Sequence, residues 1–221
     1  IYTDEKLEGM LKKIFRNILL EREVYIKEKK DGEFIVFYDS FGYDLRGIAY
    51  IYIHALTQIG YNVIYITNEE KKDKIPHIKK ELKRNLKNKI IYFQDRKIIN
   101  EYQNIVNILE NYKITTVFLY MAPEDIRAVF LGYYFEQKSI RYLINLTDHA
   151  FWLGKNAADF FIEYRDYGAS ISKYYRKIEK EKIIKLPYYP VIDKNIEFLG
   201  FPEDANGYKI IFSGGSLYKT A

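Results

Sequence analysis

The sequence predicts an α/β protein built on a doubly wound parallel sheet and preceded by an N-terminal helix. Short apolar segments of strand length alternate with longer segments in which apolar residues recur every three or four positions. Several of the short segments are continuously apolar, as in strands buried on both faces, and they end abruptly in polar residues. With 221 residues, 48% of them hydrophobic, the chain can bury a large core.

The N-terminal segment, residues 1–30, is predicted to be an amphipathic helix. Its apolar residues from Leu7 to Leu19 recur at helical spacing, with basic residues between them. Such a helix can lie on an anionic membrane surface or pack against a protein face. Packing is favoured because four acidic residues dilute the positive charge: Glu5, Glu8, Glu21 and Glu23.

A first βαβ unit follows the Asp-Gly pair at residues 31 and 32. A continuous apolar strand over residues 34–38 leads through a polar loop into a helix whose apolar stripe runs from Leu45 to Ile59. Gly60 lies where the glycine that ends a helix is expected, and the second strand covers residues 62–67. Strand, helix and strand in this order predict a parallel pair.

The alternation continues along the rest of the main domain, which is predicted to span residues 31–192. Its further elements are a basic helix over 69–86 interrupted by Pro76, strands over 90–94, 116–121, 140–146, 160–164 and 182–186, and helices over 98–112, 123–135 and 169–178. Residues 193–207 contain acidic residues, glycines and a proline and are predicted to be a linker. Residues 208–221 then begin a second domain. The absence of an initial Met and the end of the chain inside a motif predict a piece of a longer protein.

Composition limits the classes of partner and the compartment. The net charge of +5 is spread along helix faces beside glutamates, so nucleic acid is not a predicted partner. The chain has no cysteine, which excludes disulfides and thiolate metal sites. Because no apolar run approaches the roughly 20 residues that span a bilayer, we expect a cytoplasmic protein, with peripheral contact to the inner membrane face as an option.

The segment over residues 140–154 carries the first candidates for chemistry. A short apolar strand ends in a polar run that contains Asp148 and His149. Ligands of open parallel sheets collect beyond the carboxyl ends of the strands, so these side chains are predicted to face the binding crevice. The alternative is that Asp148 caps the next turn and His149 bonds a neighbouring loop. Trp152, between Phe151 and Leu153, is predicted to be core and not a binding surface.

Two more strand ends contribute candidates. The loop after the first strand carries Asp39, Ser40, Asp44 and Arg46 next to a helix N-terminus, which can hold hydroxyls or an anion. Its glycines have P-loop spacing, but no Lys-Ser/Thr pair follows and there is no G-x-G-x-x-G. Asp44 has the alternative of a simple helix cap. After the sixth strand, Arg165 faces the same crevice or pairs with a neighbouring acid, Asp166 or Glu163.

A glycine-rich turn closes the sequence. A strand over residues 209–212 leads into Gly214, Gly215 and Ser216, with Lys219 nearby. Glycines in this position let backbone amides approach a phosphate.

Taken in order, these segments resemble bacterial glycosyltransferases of the GT-B fold. The resemblance rests on the segments DSFGYDLRG, TDHAFWLG, FIEYRDYGASIS, LPYYP and IFSGGSLYK, and it covers the chain from about Phe34 to its end. It implies two Rossmann-like domains, of which the N-terminal one holds the acceptor and the C-terminal one holds a nucleotide diphosphate sugar. No cofactor is implied, because the sugar donor is a co-substrate, and no metal is implied, because this fold usually stabilises the diphosphate with amides and cations.

The resemblance also implies roles for the candidate residues. His149 and Asp148 would be catalytic, as a base on the acceptor or as partners of a sugar hydroxyl. Asp39, Ser40, Asp44, Arg46 and Arg165 would line the acceptor side, and Gly214, Gly215, Ser216 and Lys219 would meet the donor diphosphate. The predicted reaction is transfer of a hexose to a glycan, lipid-linked or protein acceptor, and most of the donor domain is absent, so this piece is expected to be inactive alone. A nucleotide-sugar 2-epimerase and a non-catalytic α/β binding module are the alternatives.

Overall fold

The computed structural model describes residues 2–20, 30–94, 98–191 and 209. The chain divides into two compact units, Ile1–Pro190 and Val191–Ala221. The predicted linker over residues 193–207, and the strand and glycine-rich turn after it, lie outside the described residues except for Lys209. The description below therefore concerns the first unit.

The first unit alternates strands and helices as predicted. Its strands are β1 (Lys30–Asp39), β2 (Asn62–Asn68), β3 (Lys89–Phe93), β4 (Tyr112–Tyr120), β5 (Ile140–Ile144), β6 (Phe160–Glu163) and β7 (Ile183–Lys185). Its α-helices are α1 (Glu5–Leu20), α2 (Ile48–Ile59), α3 (Pro76–Leu82), α4 (Ile98–Leu109), α5 (Ile126–Tyr134) and α6 (Asp166–Tyr174). Short 3-10 helices cover Glu69–Lys74 and Lys180–Lys182.

The seven strands form one sheet in the order β3-β2-β1-β4-β5-β6-β7. Every neighbouring pair is parallel. The chain starts in the middle at β1, builds outward to β3, and then crosses back to continue from β4 on the other side of β1. This arrangement confirms the predicted Rossmann-like, doubly wound fold, and its switch point lies between β1 and β4.

Helices cover the sheet on both faces, and each face has its own buried cluster. Helices α1, α4 and α5 pack on one face around residues such as Val36, Val117 and Phe130. Helices α2 and α3 pack on the other face around residues such as Phe37 and Tyr65. Alternate residues of β1 thus face opposite clusters, as the two-residue period of a strand requires.

Helix α1 packs on the protein, which is the favoured of the two predicted interpretations. Leu11, Phe15 and Ile18 are 5 to 6% exposed and belong to the core of the α4 and α5 face. The predicted extent of the helix is wrong at its end, because Lys30 already begins β1; residues 21–29 lie outside the described residues. Among the described helices, none has the length and apolar character to span a bilayer.

Glycine and proline residues explain other boundaries of the helices and strands. Gly32, with φ of 98°, lies at a register shift between β1 and β4, so the Asp-Gly pair that was predicted to precede the first strand is an irregularity inside that strand. Pro76 divides the predicted basic helix and becomes the first residue of α3. Gly60 adopts the left-handed conformation at the end of α2 and donates to the carbonyls of that helix's last turn.

We expect Gly132→Ala to lower the free energy of unfolding by about 1–3 kcal/mol. Gly132 lies in α5, and an added Cβ would overlap the carbonyl oxygen of Ala157 and lie 2.7 Å from that residue's Cβ. The control is Gly9→Ala in α1, where nothing lies within 4 Å and alanine is the better helix former. Chemical denaturation should show a lower free energy of unfolding for Gly132→Ala than for the wild type. For Gly9→Ala, the free energy of unfolding should equal or exceed that of the wild type. Equal stabilities would show that α5 does not need this close approach.

Candidate functional site

The candidate site lies along the carboxyl edge of the sheet. The loops after β1, β4, β5 and β6 meet there, because these four strands are adjacent and parallel. The amide of Ser40 after β1 bonds the Tyr120 carbonyl of β4, and the amide of Asn145 after β5 bonds the Ile162 carbonyl of β6. These strand ends are where ligands of doubly wound sheets bind.

Asp148 and Arg165 form the central ion pair of this edge. Arg165 Nε lies 2.6 Å from Asp148 Oδ2, and Arg165 Nη2 lies 2.9 Å from Oδ1. The Asp148 side chain is 7% exposed, whereas that of Arg165 is 65% exposed. Hydrogen bonding from Arg165 is the main cause that lowers the pKa of Asp148, against the opposing effect of burial.

This ion pair decides between the alternatives that the sequence left open for Arg165 and for Asp148. Arg165 pairs across the edge with Asp148 and not with its neighbours: Asp166 pairs with Lys185 at 2.7 Å, and Glu163 bonds other groups. The Asp148 carboxylate accepts no backbone amide of the described residues, so it does not cap the following turn. Both residues therefore belong to one polar cluster at the crevice.

His149 is the exposed member of this cluster. Its Nδ1 lies 3.3 Å from Asp148 Oδ1, and its side chain is 70% exposed. Trp152, three residues on, is 3% exposed and stacks near Phe161, which confirms that it is core. The turn therefore buries the indole of Trp152 and exposes the imidazole of His149 to solvent.

A buried carboxylate, Glu163, lies beneath the turn. It accepts from Asn145 Nδ2 at 2.9 and 3.1 Å and from the Ser172 hydroxyl of α6. Burial raises the pKa of Glu163, and these hydrogen bonds oppose the rise. Helix α6 approaches this closely because Gly168 has no side chain: a Cβ there would lie 2.5 Å from Glu163 Oε2 and 3.2 Å from Asp148 Cβ.

Asp39, the last residue of β1, points into the protein. It is fully buried, and Oδ1 accepts the amides of Phe41 and Gly42 at 2.8 and 3.0 Å. Its Oδ2 accepts the Tyr65 hydroxyl at 2.5 Å. Burial raises the pKa of Asp39 despite these hydrogen bonds. Asp39 therefore shapes the loop from inside, and its oxygens are already engaged.

Asp44 is a helix cap, but for α3 rather than for the helix that follows it. Its Oδ1 accepts the amide of Ile78 at 3.0 Å, and its Oδ2 accepts the amide of His77 at 3.2 Å. The His77 ring adds a contact of 2.6 Å between Nδ1 and Oδ2. Gly47 stands at the start of α2 without a side-chain cap bond. Arg46 is exposed and forms no ion pair with a described residue.

Ser40 lies at the switch point and bonds Asp125, the residue that precedes α5. Its hydroxyl donates to Asp125 Oδ2 at 2.6 Å, and the Tyr38 hydroxyl donates to the same oxygen at 2.8 Å. Asp125 Oδ1 caps α5 through the amides of Arg127 and Ala128. A cavity of about 250 Å³ adjoins this cluster, between Ser40, Phe93 and Arg127 among others.

A larger cavity lies elsewhere, at the amino ends of β4, β5 and β6. It measures about 1100 Å³ and is lined by residues including Lys113, Ser139 and Arg141. Arg141 there is held by Asp159 and by the Gly132 carbonyl at 2.6 to 3.0 Å. We place the candidate site at the other edge because binding to parallel sheets of this type occurs beyond the carboxyl ends.

The structure brings together some predicted site residues and leaves others untested. Asp148, His149 and Arg165 form one cluster, whereas Asp39, Ser40 and Asp44 bond partners within and around the β1 loop. The predicted donor residues Gly214, Gly215, Ser216 and Lys219 lie outside the described residues. Within the described part of the chain, no group of three His, Cys, Asp or Glu residues is arranged to hold a metal ion.

The chain is thus an α/β protein of the Rossmann-like, doubly wound class with a polar carboxyl edge. In comparisons with known proteins, it matches no protein-family model and no curated protein.

Sequence reasoning missed three residues of this edge: Asp125, Glu163 as an internal acceptor, and Arg176. Arg176 is fully buried under the turn that carries His149. Lys and Arg total 35 in the chain, and nothing local marks Arg176 among them. For Asp125, the signal was its place just before α5, which is typical of a capping residue.

Proposed function

We propose that this chain is the acceptor-side part of a GT-B glycosyltransferase, which transfers a sugar from a nucleotide diphosphate sugar to a glycan, lipid-linked or protein acceptor. One observation carries the proposal. An exposed imidazole, His149, stands beside the Asp148–Arg165 pair at the carboxyl edge of a doubly wound sheet. The resemblance of the surrounding segments to GT-B enzymes supplies the reaction class.

In this proposal, His149 is the general base or a hydrogen-bond partner of the transferred sugar. As a base, the imidazole takes the proton of the acceptor hydroxyl while that oxygen attacks the anomeric carbon. The bond from the anomeric carbon to the diphosphate breaks, and the nucleotide diphosphate leaves with the bonding electrons. Asp148, 3.3 Å from the ring, stabilises the imidazolium that forms, and Arg165 keeps the carboxylate in that orientation.

The β1 loop contributes the acceptor side. Among the predicted residues of this loop, Ser40 lines the cavity of about 250 Å³. The exposed Arg46 adds a positive charge a few residues later in the sequence. Asp39 and Asp44 act on the acceptor through the shape of the loop, because their carboxylates are bonded internally. The predicted diphosphate contacts of Gly214, Gly215, Ser216 and Lys219 complete the donor side.

The test compares three histidine variants of the complete gene product that contains this chain. The chain has only three histidines, and His54 in α2 faces Glu81 at 3.3 Å, away from the turn. Nucleotide release is measured over a panel of nucleotide sugars, with and without candidate acceptors. We expect His149→Ala to lower turnover by about 10²–10⁴-fold, and His54→Gln to leave it near the wild-type value. His149→Gln keeps a hydrogen bond but no base, so it separates the two roles.

Each outcome bears on the proposal. Release that depends on an acceptor and collapses in His149→Ala supports transfer. Acceptor-independent conversion of one donor supports the 2-epimerase alternative. A folded wild-type protein that neither binds nor turns over any donor would overturn the transferase in favour of a binding module.

A further inference from the structure

We infer that Arg176 is a positioning residue that holds the turn carrying Asp148 and His149 in the conformation that presents both side chains at the carboxyl edge of the sheet. Its Nη2 donates to three backbone carbonyls of that turn: Thr147 at 3.2 Å, Asp148 at 3.1 Å and Ala150 at 2.7 Å. Arg176 lies outside the turn in sequence, beyond the end of α6. The consequence for turnover rests on the proposed function, whereas the consequence for the turn does not.

The guanidinium is enclosed on all sides by the core and by the cluster. Arg176 is fully buried, and its Cζ lies 4.7 Å from the Trp152 ring and 5.3 Å from the Tyr2 ring. Its Nη1 lies 3.4 Å from the Ser172 hydroxyl, which in turn donates to Glu163. A buried cation is costly unless it is bonded, and here most of its bonds go to the turn.

The start of the same turn is anchored in the same network. Asn145 donates to both oxygens of Glu163, and its own Oδ1 accepts the Thr147 amide at 3.1 Å. Thus Asn145 fixes the amide side of the turn, and Arg176 fixes its carbonyl side. Both anchors meet at Glu163 and Ser172 beneath the turn.

Because Arg176 bonds the backbone of the turn, it constrains the orientation of His149 more than a bond to one side chain would. The Asp148 carbonyl belongs to the peptide group that leads into His149, so its direction helps to orient the imidazole, and the bonds to the Thr147 and Ala150 carbonyls hold the turn on either side of that peptide group. Without Arg176, these carbonyls would turn toward water. A displacement of about 1 Å at a reacting group can cost about 10²-fold in rate.

The test is made on the complete gene product that contains this chain, with any tryptophan outside the chain replaced by phenylalanine, so that Trp152, the single tryptophan of the chain, reports on the turn. The variants are Arg176→Met and Arg176→Lys, and the matched control is Arg141→Met. Arg141 is another buried arginine, 5% exposed, but it bonds Asp159 and the Gly132 carbonyl near the opposite edge of the sheet. It therefore matches the loss of a buried cation without touching the turn.

We expect Arg176→Met to raise the acrylamide quenching constant of Trp152 severalfold and to lower kcat by about 10–100-fold with little change in KM for the donor. Arg176→Lys, which keeps one cation but cannot reach three carbonyls at once, should recover part of both losses. Arg141→Met should leave quenching and kcat within about twofold of wild type, at a temperature where circular dichroism shows all variants folded.

Equal effects of Arg176→Met and Arg141→Met would overturn the inference, since both would then act only through stability. Unchanged Trp152 quenching in Arg176→Met would overturn it as well. If the wild type has no turnover, the proposed function fails, and the quenching comparison alone still decides whether Arg176 orders the turn. If Arg176→Met does not fold, Arg176→Lys against Arg141→Lys decides by the same two measurements.

Discussion

Replacing Glu8 with alanine should lower the free energy of unfolding by about 3–5 kcal/mol, among the largest effects expected from a single truncation in this chain. Glu8 lies in α1 and is 2% exposed. Its Oε1 accepts the amides of Gly154 and Lys155 at 2.7 and 3.2 Å, and its Oε2 accepts the Tyr133 hydroxyl at 2.9 Å. Truncation leaves two buried donors, the Gly154 amide and the Tyr133 hydroxyl, and the partly buried Lys155 amide without an acceptor, at about 1–3 kcal/mol for each buried donor before relaxation.

Glu5→Ala is the matched control for this prediction. Glu5 belongs to the same helix and pairs with Lys155 at 2.6 Å, but its side chain is 66% exposed. An exposed pair of this kind contributes about 0–1 kcal/mol. Guanidinium denaturation followed by circular dichroism gives both values. If Glu8→Ala costs no more than Glu5→Ala, α1 is not anchored through this carboxylate.

The Glu8 contacts connect the N-terminal helix to the candidate site. Gly154 and Lys155 directly follow the segment that carries His149 and Trp152, and Lys155 also reaches Glu5. The helix therefore stabilises the far end of that segment, while Arg176 holds its near end. This role for α1 follows from its buried face and does not require a membrane.

Replacing Asp39 with alanine should lower the free energy of unfolding by about 2–4 kcal/mol. The change leaves the Tyr65 hydroxyl and the amides of Phe41 and Gly42 without their acceptor. Asp31→Ala, at an exposed carboxylate near the start of the same strand, is the control and should change stability by less than about 0.5 kcal/mol. Equal losses in the two variants would contradict an internal role for Asp39.

The pH dependence of Asp39→Asn gives an independent check. Burial raises the pKa of Asp39 in the folded state above its ordinary value of about 3.9. The folded state therefore binds its proton more tightly than the unfolded state, and this group's contribution to stability falls as pH rises from that value through the raised pKa. Asparagine does not titrate, so the stability advantage of wild type over Asp39→Asn should narrow as the pH rises above about 3.9. A constant difference would show that the folded-state pKa is not raised.

The elements of the fold were predictable because their signals are local. Continuous apolar runs predicted buried strands such as β2, and apolar residues at helical spacing predicted α2 and α4. Pro76 and Gly60 marked boundaries that the structure confirms. The alternation of strands and helices then implied a parallel sheet, whose topology is restricted by the handedness of its connections. For the same reason, the loops that reach the carboxyl edge could be named in advance.

The partners of the polar side chains were not predictable, because they depend on distances across the sheet that no local period encodes. Asp148 pairs with Arg165, 17 residues away, because β5 and β6 are neighbours and end at the same edge. Asp44 caps α3 and not the helix that follows it, because α2 and α3 pack side by side on one face.

The same reason applies to the two carboxylates and the arginine that shape the candidate site from inside. Asp39 was predicted to line the acceptor side, and Glu163 was considered as a partner of Arg165. Both point into the core, where their hydrogen bonds offset the cost of burial. Arg176 looks like any surface arginine in the sequence, and only the packing of α6 on the turn buries it. Hydrophobic periodicity thus determined the layers of this protein, whereas the pairing of its buried charges was decided by which strand ends and helices pack together in three dimensions.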